Sequence, residues 1–144
     1  MTLNEMTQKA HEMSRAKGWY EGPPRSALEM HMLMVSELAE ATECVRARLP
    51  PVYFEAIEDG SPIEPVDLTP EAFTFEHKIM SGSGGCMGKE QRMLKPEGEA
   101  VELADVAIRL MDYFAARGWD FEKTVQLKMA YNSTRPHRHG GKAL

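Results

Sequence analysis

Apolar residues recur every three or four positions in four segments of the chain, which is the pattern of amphipathic helices. Two of these segments begin with capping-box spacing, Thr2 with Glu5 and Ser26 with Glu29. The predicted helices span about residues 3–17, 26–48, 96–117 and 121–132. The pattern therefore predicts an all-α fold of four helices.

The third and fourth helices have their own start and stop signals. Pro96 is predicted to lie in the first turn of the third helix, because proline suits the first position of a helix. Gly118 is predicted to end that helix, and Asp120 to cap the fourth.

The segment between the second and third helices has a different composition. Residues 49–95 are rich in proline and then in glycine and serine, and "VYFEAI" and "AFTFEHKIM" could form short strands or a hairpin. We interpret this segment as an insertion into one domain that spans residues 1–144.

Glu37 and Glu40 interrupt the apolar face of the second helix. At about 100° per residue, Leu33 and Ala41 flank Glu37 on one face, so its carboxylate is expected inside the buried stripe. An unpaired carboxylate in such a place is costly or becomes protonated. Some partner must offset this cost.

The third helix also carries acids on a mostly apolar surface. Its apolar positions cover more than half of its circumference, and Glu102 and Asp105 lie three apart on the remaining stripe. If the two helices pack together, four carboxylates converge, and their natural partner is a hard divalent cation, Mg²⁺ or Mn²⁺. The alternative is that these acids face solvent or pair with nearby arginines.

Composition narrows the class of protein. A net charge of −5 argues against binding to a nucleic acid polymer, and no apolar run approaches the roughly 18–20 residues of a membrane span. The polar N-terminus is unlike a secretory signal. The two cysteines lack metal-ligand spacing, so we expect free thiols in a cytoplasmic protein.

The C-terminal stretch "KMAYNSTRPHRHGGK" concentrates positive charge on an acidic protein. Lys128 and Asn132 lie four apart on one helix face, and Arg135 follows. Such a cluster suggests an anionic ligand such as phosphate. A solvated, mobile tail is the alternative.

The two acid pairs and this tail together resemble the MazG-like family of all-α nucleoside triphosphate pyrophosphohydrolases. The family has E-x-x-E on one helix and E-x-x-D on the next, which this chain shows at residues 37–40 and 102–105. The resemblance covers about residues 26–48 and 95–142. The chain departs from the family in the long segment between the pairs.

The resemblance implies a four-helix MazG-like bundle that hydrolyses a nucleoside triphosphate to the monophosphate and pyrophosphate. Mg²⁺, or Mn²⁺ in its place, would be held by Glu37, Glu40, Glu102 and Asp105. Either Glu37 or Glu40 could instead orient the attacking water as a general base.

The resemblance also implies a set of substrate contacts. Lys128 and Arg135 would bind phosphate oxygens, with Lys128 catalytic because it would stabilise charge on the leaving pyrophosphate. Asn132 would bind phosphate or sugar, and Trp19 or Tyr20 could stack on the base. The family forms homodimers or homotetramers.

Two other functions fit the same residues. One is a non-catalytic helical protein that binds a nucleotide or regulates a partner. The other is a related phosphohydrolase that acts on an alarmone.

Overall fold

The computed structural model describes residues 1–55, 62–64, 74–77, 90–93 and 95–136, and these are mostly helical. The helices are α1 (Leu3–Ala16), α2 (Ala27–Arg46), α3 (Glu99–Ala116) and α4 (Phe121–Ser133). The strands are β1 (Tyr53–Glu55), β2 (Pro62–Ile63), β3 (Thr74–His77), β4 (Glu90–Met93) and β5 (Pro96–Glu97). The prediction of four helices with an insertion between the second and third is confirmed.

The chain forms two compact units. The first contains residues 1–34 and 107–144, and the second contains residues 35–106. Both α2 and α3 contribute residues to each unit. The single domain expected from the sequence stays a prediction.

In the first unit, Asn4 joins α1 to the start of α4. Its side-chain amide donates a hydrogen bond to Asp120 (3.0 Å), and its side-chain oxygen accepts one from the backbone N–H of Glu122 (3.1 Å). Asp120 also accepts from the backbone N–H of Lys123 (3.0 Å), which confirms it as the N-cap of α4. The predicted capping box at the start of α1 is confirmed as well.

The buried carboxylate of Asp112 makes polar contacts with two other segments of the first unit. Asp112 of α3 accepts a hydrogen bond from the hydroxyl of Tyr20 (2.9 Å), and its other close contact is His11 Nδ1 (2.7 Å). Burial, followed by this hydrogen bond to Asp112, raises the pKa of Tyr20. Asp112 therefore ties α1 and the connection after it to α3.

The second unit contains a three-stranded antiparallel sheet in the order β2–β1–β5. Tyr53 and Phe54 of β1 are buried, and Tyr53 pairs with Glu97 while Phe54 pairs with Pro96. A separate antiparallel pair joins β3 to β4. The strands expected within "VYFEAI" and "AFTFEHKIM" are therefore present as β1 and β3.

The prediction for Pro96 was wrong. Pro96 and Glu97 form β5 instead of the first turn of α3, and the helix begins at Glu99. Gly98, with φ +116°, separates the two elements, and a Cβ there would lie 2.6 Å from the carbonyl oxygen of Pro51. The distant strand β1 thus overrides the local helix signal, since pairing across the sheet cannot be read from nearby residues.

We predict that Gly98→Ala destabilises the fold by about 3 kcal/mol or more, because the added methyl meets backbone and the conformation is disfavoured for alanine. Gly22→Ala is the matched control, since Gly22 also has positive φ but its Cβ would meet open space. We expect it to cost about 1 kcal/mol. Urea unfolding followed by circular dichroism compares the two, and equal costs would contradict the packing role of Gly98.

Candidate metal centre

Helix α2 carries Glu37 into the interior. The helix begins after Ser26, whose hydroxyl accepts from the backbone N–H of Glu29 (3.2 Å) while Glu29 accepts from the N–H of Ser26 (2.6 Å). Glu37 is only 7% exposed and Ala41 is buried one turn later. Glu40 lies at the exposed edge of this face. The predicted placement of Glu37 in the buried stripe is confirmed.

The first turn of α3 places Glu102. Its backbone N–H donates to the carbonyl oxygen of Gly98 (3.0 Å), and its side chain is 5% exposed. Because Gly98 is packed against Pro51, the turn that carries Glu102 is anchored to the chain that precedes β1. The backbone of Ala100 reinforces this anchor by donating to the carbonyl oxygen of Pro51 (2.9 Å).

Carboxylate oxygens of Glu37, Glu40 and Glu102 lie within 4.8 Å of one another. We call these three residues the carboxylate cluster. The fourth expected ligand, Asp105, is half-buried one turn after Glu102, and it is close enough to act on the charge of Glu102. The structure therefore brings together three of the four acids and places the fourth beside them.

The cluster is electrostatically unfavourable by itself. Burial raises the pKa of Glu102, and the charges of Glu40, Asp105, Glu97 and Glu37 raise it further, in that order. A divalent cation would reverse the sign of this local potential. Three carboxylates at this spacing, two of them buried, are the hard oxygen donors that suit Mg²⁺ or Mn²⁺.

Two neighbours of the cluster, Lys95 and Glu97, were not anticipated from the sequence. Glu97 of β5 contributes to the potential at Glu102, and the ammonium group of Lys95 lies 2.6 Å from a carboxylate oxygen of Glu97. Burial, and then Glu102 and Glu97, raise the pKa of Cys44. Lys95 was missed because it lies in the insertion, and Glu97 because it was predicted to lie in the first turn of the third helix. The pairing of β5 with β1 is what places Glu97.

The expected substrate residues lie in the first unit. Lys128 and Asn132 are exposed on α4, where the Lys128 ammonium lies 5.0 Å from the centre of the Tyr131 ring. Arg135 follows the helix, and its backbone N–H donates to the carbonyl oxygen of Asn132 (3.2 Å). The basic residues after 136 lie outside the described residues. That these side chains share a site with the carboxylate cluster stays a prediction.

Trp19 is 46% exposed in the connection between α1 and α2. The guanidinium groups of Arg25 and Arg109 lie 5.1 and 5.4 Å from the centre of its ring, so two positive charges contact this indole. The sequence offered no signal for this arrangement, because the two arginines come from different segments.

Comparison of the chain with protein-family models, curated proteins and solved structures gave no match. Among the described residues, no helix has both the length and the apolar character needed to cross a membrane. The MazG-like resemblance therefore stays a prediction that rests on the residues quoted for it.

The raised pKa of Glu102 makes a prediction about stability. At pH values below the ordinary carboxylate pKa, Glu102 is protonated in both the folded and the unfolded chain. Its ionisation then does not change the free energy of unfolding. As pH rises from the ordinary pKa towards the raised pKa, the unfolded chain ionises first, so the folded state loses stability. Glu102→Gln should therefore melt about 2–5 °C higher than wild type at pH 7 without divalent metal, and this gain should shrink at pH 4.

Glu43→Gln is the control for this experiment, because Glu43 is exposed on α2 and pairs with Arg46 (2.8 Å) outside the cluster. Its melting temperature should change little with the substitution. A Glu102→Gln protein that is less stable than wild type at pH 7 would contradict the electrostatic account.

Proposed function

We propose that the protein is an Mg²⁺-dependent nucleoside triphosphate pyrophosphohydrolase of the MazG-like type. It would convert a ribo- or deoxyribonucleoside triphosphate and water to the monophosphate and pyrophosphate, and so remove unwanted nucleotides in the cytoplasm. The observation that carries the proposal is the convergence of Glu37, Glu40 and Glu102 from two helices. The resemblance of the acid pairs and the basic tail supplies the reaction.

The exposure of each carboxylate suggests its role in the reaction. Glu37 and Glu102 are buried and suit metal binding, with Asp105 as a fourth ligand. Glu40 is exposed, so it is the better placed member of its pair to orient a water molecule as a general base. A bound Mg²⁺, or Mn²⁺, would neutralise phosphate charge and favour ionisation of water near neutral pH.

Positive and aromatic side chains of the first unit would recognise the substrate. Lys128 and Arg135 would bind phosphate oxygens, and the Lys128 charge would stabilise the leaving pyrophosphate. Asn132 would donate to phosphate or sugar. Trp19 would stack on the base once a guanidinium group over its ring moves aside.

Exposed apolar residues support a homodimer or homotetramer. The single chain leaves large apolar side chains exposed on all four of its helices, although the sequence pattern predicts a buried apolar stripe on α2 and a largely apolar surface on α3. They include Val35, Leu38, Leu103, Leu127 and Met129. Contact with further copies would cover such positions.

We predict that Glu37→Gln and Asp105→Asn each lower kcat at least about 100-fold while the proteins stay folded, because each loses a charged metal ligand. The measurement is pyrophosphate release from a panel of ribo- and deoxyribonucleoside triphosphates, with and without Mg²⁺. Glu43→Gln, exposed on the same helix as Glu37, should retain wild-type activity.

Unchanged activity in both ligand variants would refute the assignment of the cluster. A wild-type protein that binds nucleotides but releases no pyrophosphate from any of them would favour the regulatory function. Turnover of an alarmone in place of nucleoside triphosphates would identify the other phosphohydrolase.

We predict that Lys128→Ala raises KM about 10- to 100-fold, lowers kcat, or does both, because a hydrogen bond between an ammonium and a phosphate is lost. Lys128→Arg keeps the charge and should recover part of the loss. Steady-state kinetics on the best nucleotide of the panel measures both constants. If neither constant changes in Lys128→Ala, Lys128 does not belong to the site.

A further inference from the structure

The backbone around Glu97 is fixed beside the first turn of α3. Glu97 pairs with the buried Tyr53 across the sheet, and Gly98 is packed against the carbonyl oxygens of Pro50 and Pro51. The Glu97 side chain is 23% exposed. The backbone of Glu97 is therefore held by sheet pairing and by the close packing of Gly98.

Glu97 in turn holds Lys95. The two charged groups are 2.6 Å apart, and the Lys95 side chain is 76% exposed. The hydrogen bond to Glu97 raises the pKa of Lys95, and the charges of Glu97, Glu102 and Glu40 act in the same direction. The ammonium group thus stays charged and feels the potential of the carboxylate cluster.

The Lys95 ammonium group places a positive charge in the field of the carboxylate cluster. It opposes binding of a free divalent cation, because like charges repel. It favours binding of a metal together with an anion, since carboxylates hold the metal and the ammonium neutralises the anion. Acids and a lysine placed side by side are therefore suited to a polyphosphate that carries its own metal.

We propose that Lys95 binds a phosphate oxygen of a polyphosphate seated with Mg²⁺ at the carboxylate cluster, and that Glu97 positions it when the site is empty. This inference rests on the proposed function and adds a substrate contact from the insertion side of α3. An exposed ion pair contributes little stability, so Lys95 can exchange Glu97 for phosphate at small cost. Its flexible stem allows the short movement that this exchange requires.

The test is Lys95→Ala, with inorganic pyrophosphate as the probe. Isothermal titration calorimetry in Mg²⁺ should show about 10- to 100-fold weaker binding of pyrophosphate than in wild type. Mg²⁺ binding without phosphate should be unchanged or tighter, because a positive charge has been removed. Lys95→Arg should recover most of the pyrophosphate affinity, and KM for the best nucleotide should follow the same order.

Lys123→Ala is the matched control. Lys123 is 83% exposed and pairs with Asp120 at 3.2 Å, so the substitution removes a similar ion pair from the other unit. It should leave pyrophosphate affinity unchanged. Equal affinity in Lys95→Ala and Lys123→Ala would overturn the proposal, and so would a matching loss of Mg²⁺ affinity in Lys95→Ala, which would indicate a structural role.

The two proposals fail separately. If wild type turns over nucleotides and Lys95→Ala behaves like wild type, only the role of Lys95 is wrong. If wild type binds pyrophosphate through Lys95 but hydrolyses no nucleotide, only the pyrophosphohydrolase assignment is wrong. If wild type with Mg²⁺ binds neither pyrophosphate nor nucleotide, both are wrong.

Discussion

Repulsion among carboxylates that two helices hold close together is the constraint on which the site depends. Glu37 and Glu102 are withdrawn from water, Glu40 lies against them, and the charge of Asp105 adds to the same potential. Hydrophobic burial of the surrounding helix faces must exceed this repulsion for the metal-free chain to fold. A chain that carries such a cost at one place gains from binding a divalent cation there, because binding to the folded state alone stabilises it.

The fold keeps this arrangement in place through a short sheet as well as through its helices. β5 pairs with β1, Gly98 turns the chain against Pro51, and the carbonyl oxygen of Gly98 receives the backbone N–H of Glu102. The insertion between the acid pairs therefore has a structural role where it meets α3. Lys95, just before β5, pairs with Glu97 and feels the charges of Glu102 and Glu40.

Local signals in the sequence sufficed for the helices and for the acids within them. The capping boxes and the flanking of Glu37 by apolar residues act within one or two turns, and each was confirmed. The start of α3 could not be predicted, because Pro96 responds to a strand more than forty residues earlier. The pairing of Lys95 with Glu97 was not predicted either. The contact of Asp112 with His11, which joins α1 to α3, was also missed because the two residues are far apart in the chain.

The most direct test of the central claim is a crystal structure of the protein with Mn²⁺, whose anomalous scattering locates the ion without reference to activity. The account predicts an anomalous peak within the carboxylate cluster, bonded to carboxylate oxygens of the buried Glu37 and Glu102. A peak at another place, or no peak at these carboxylates at saturating Mn²⁺, would contradict it.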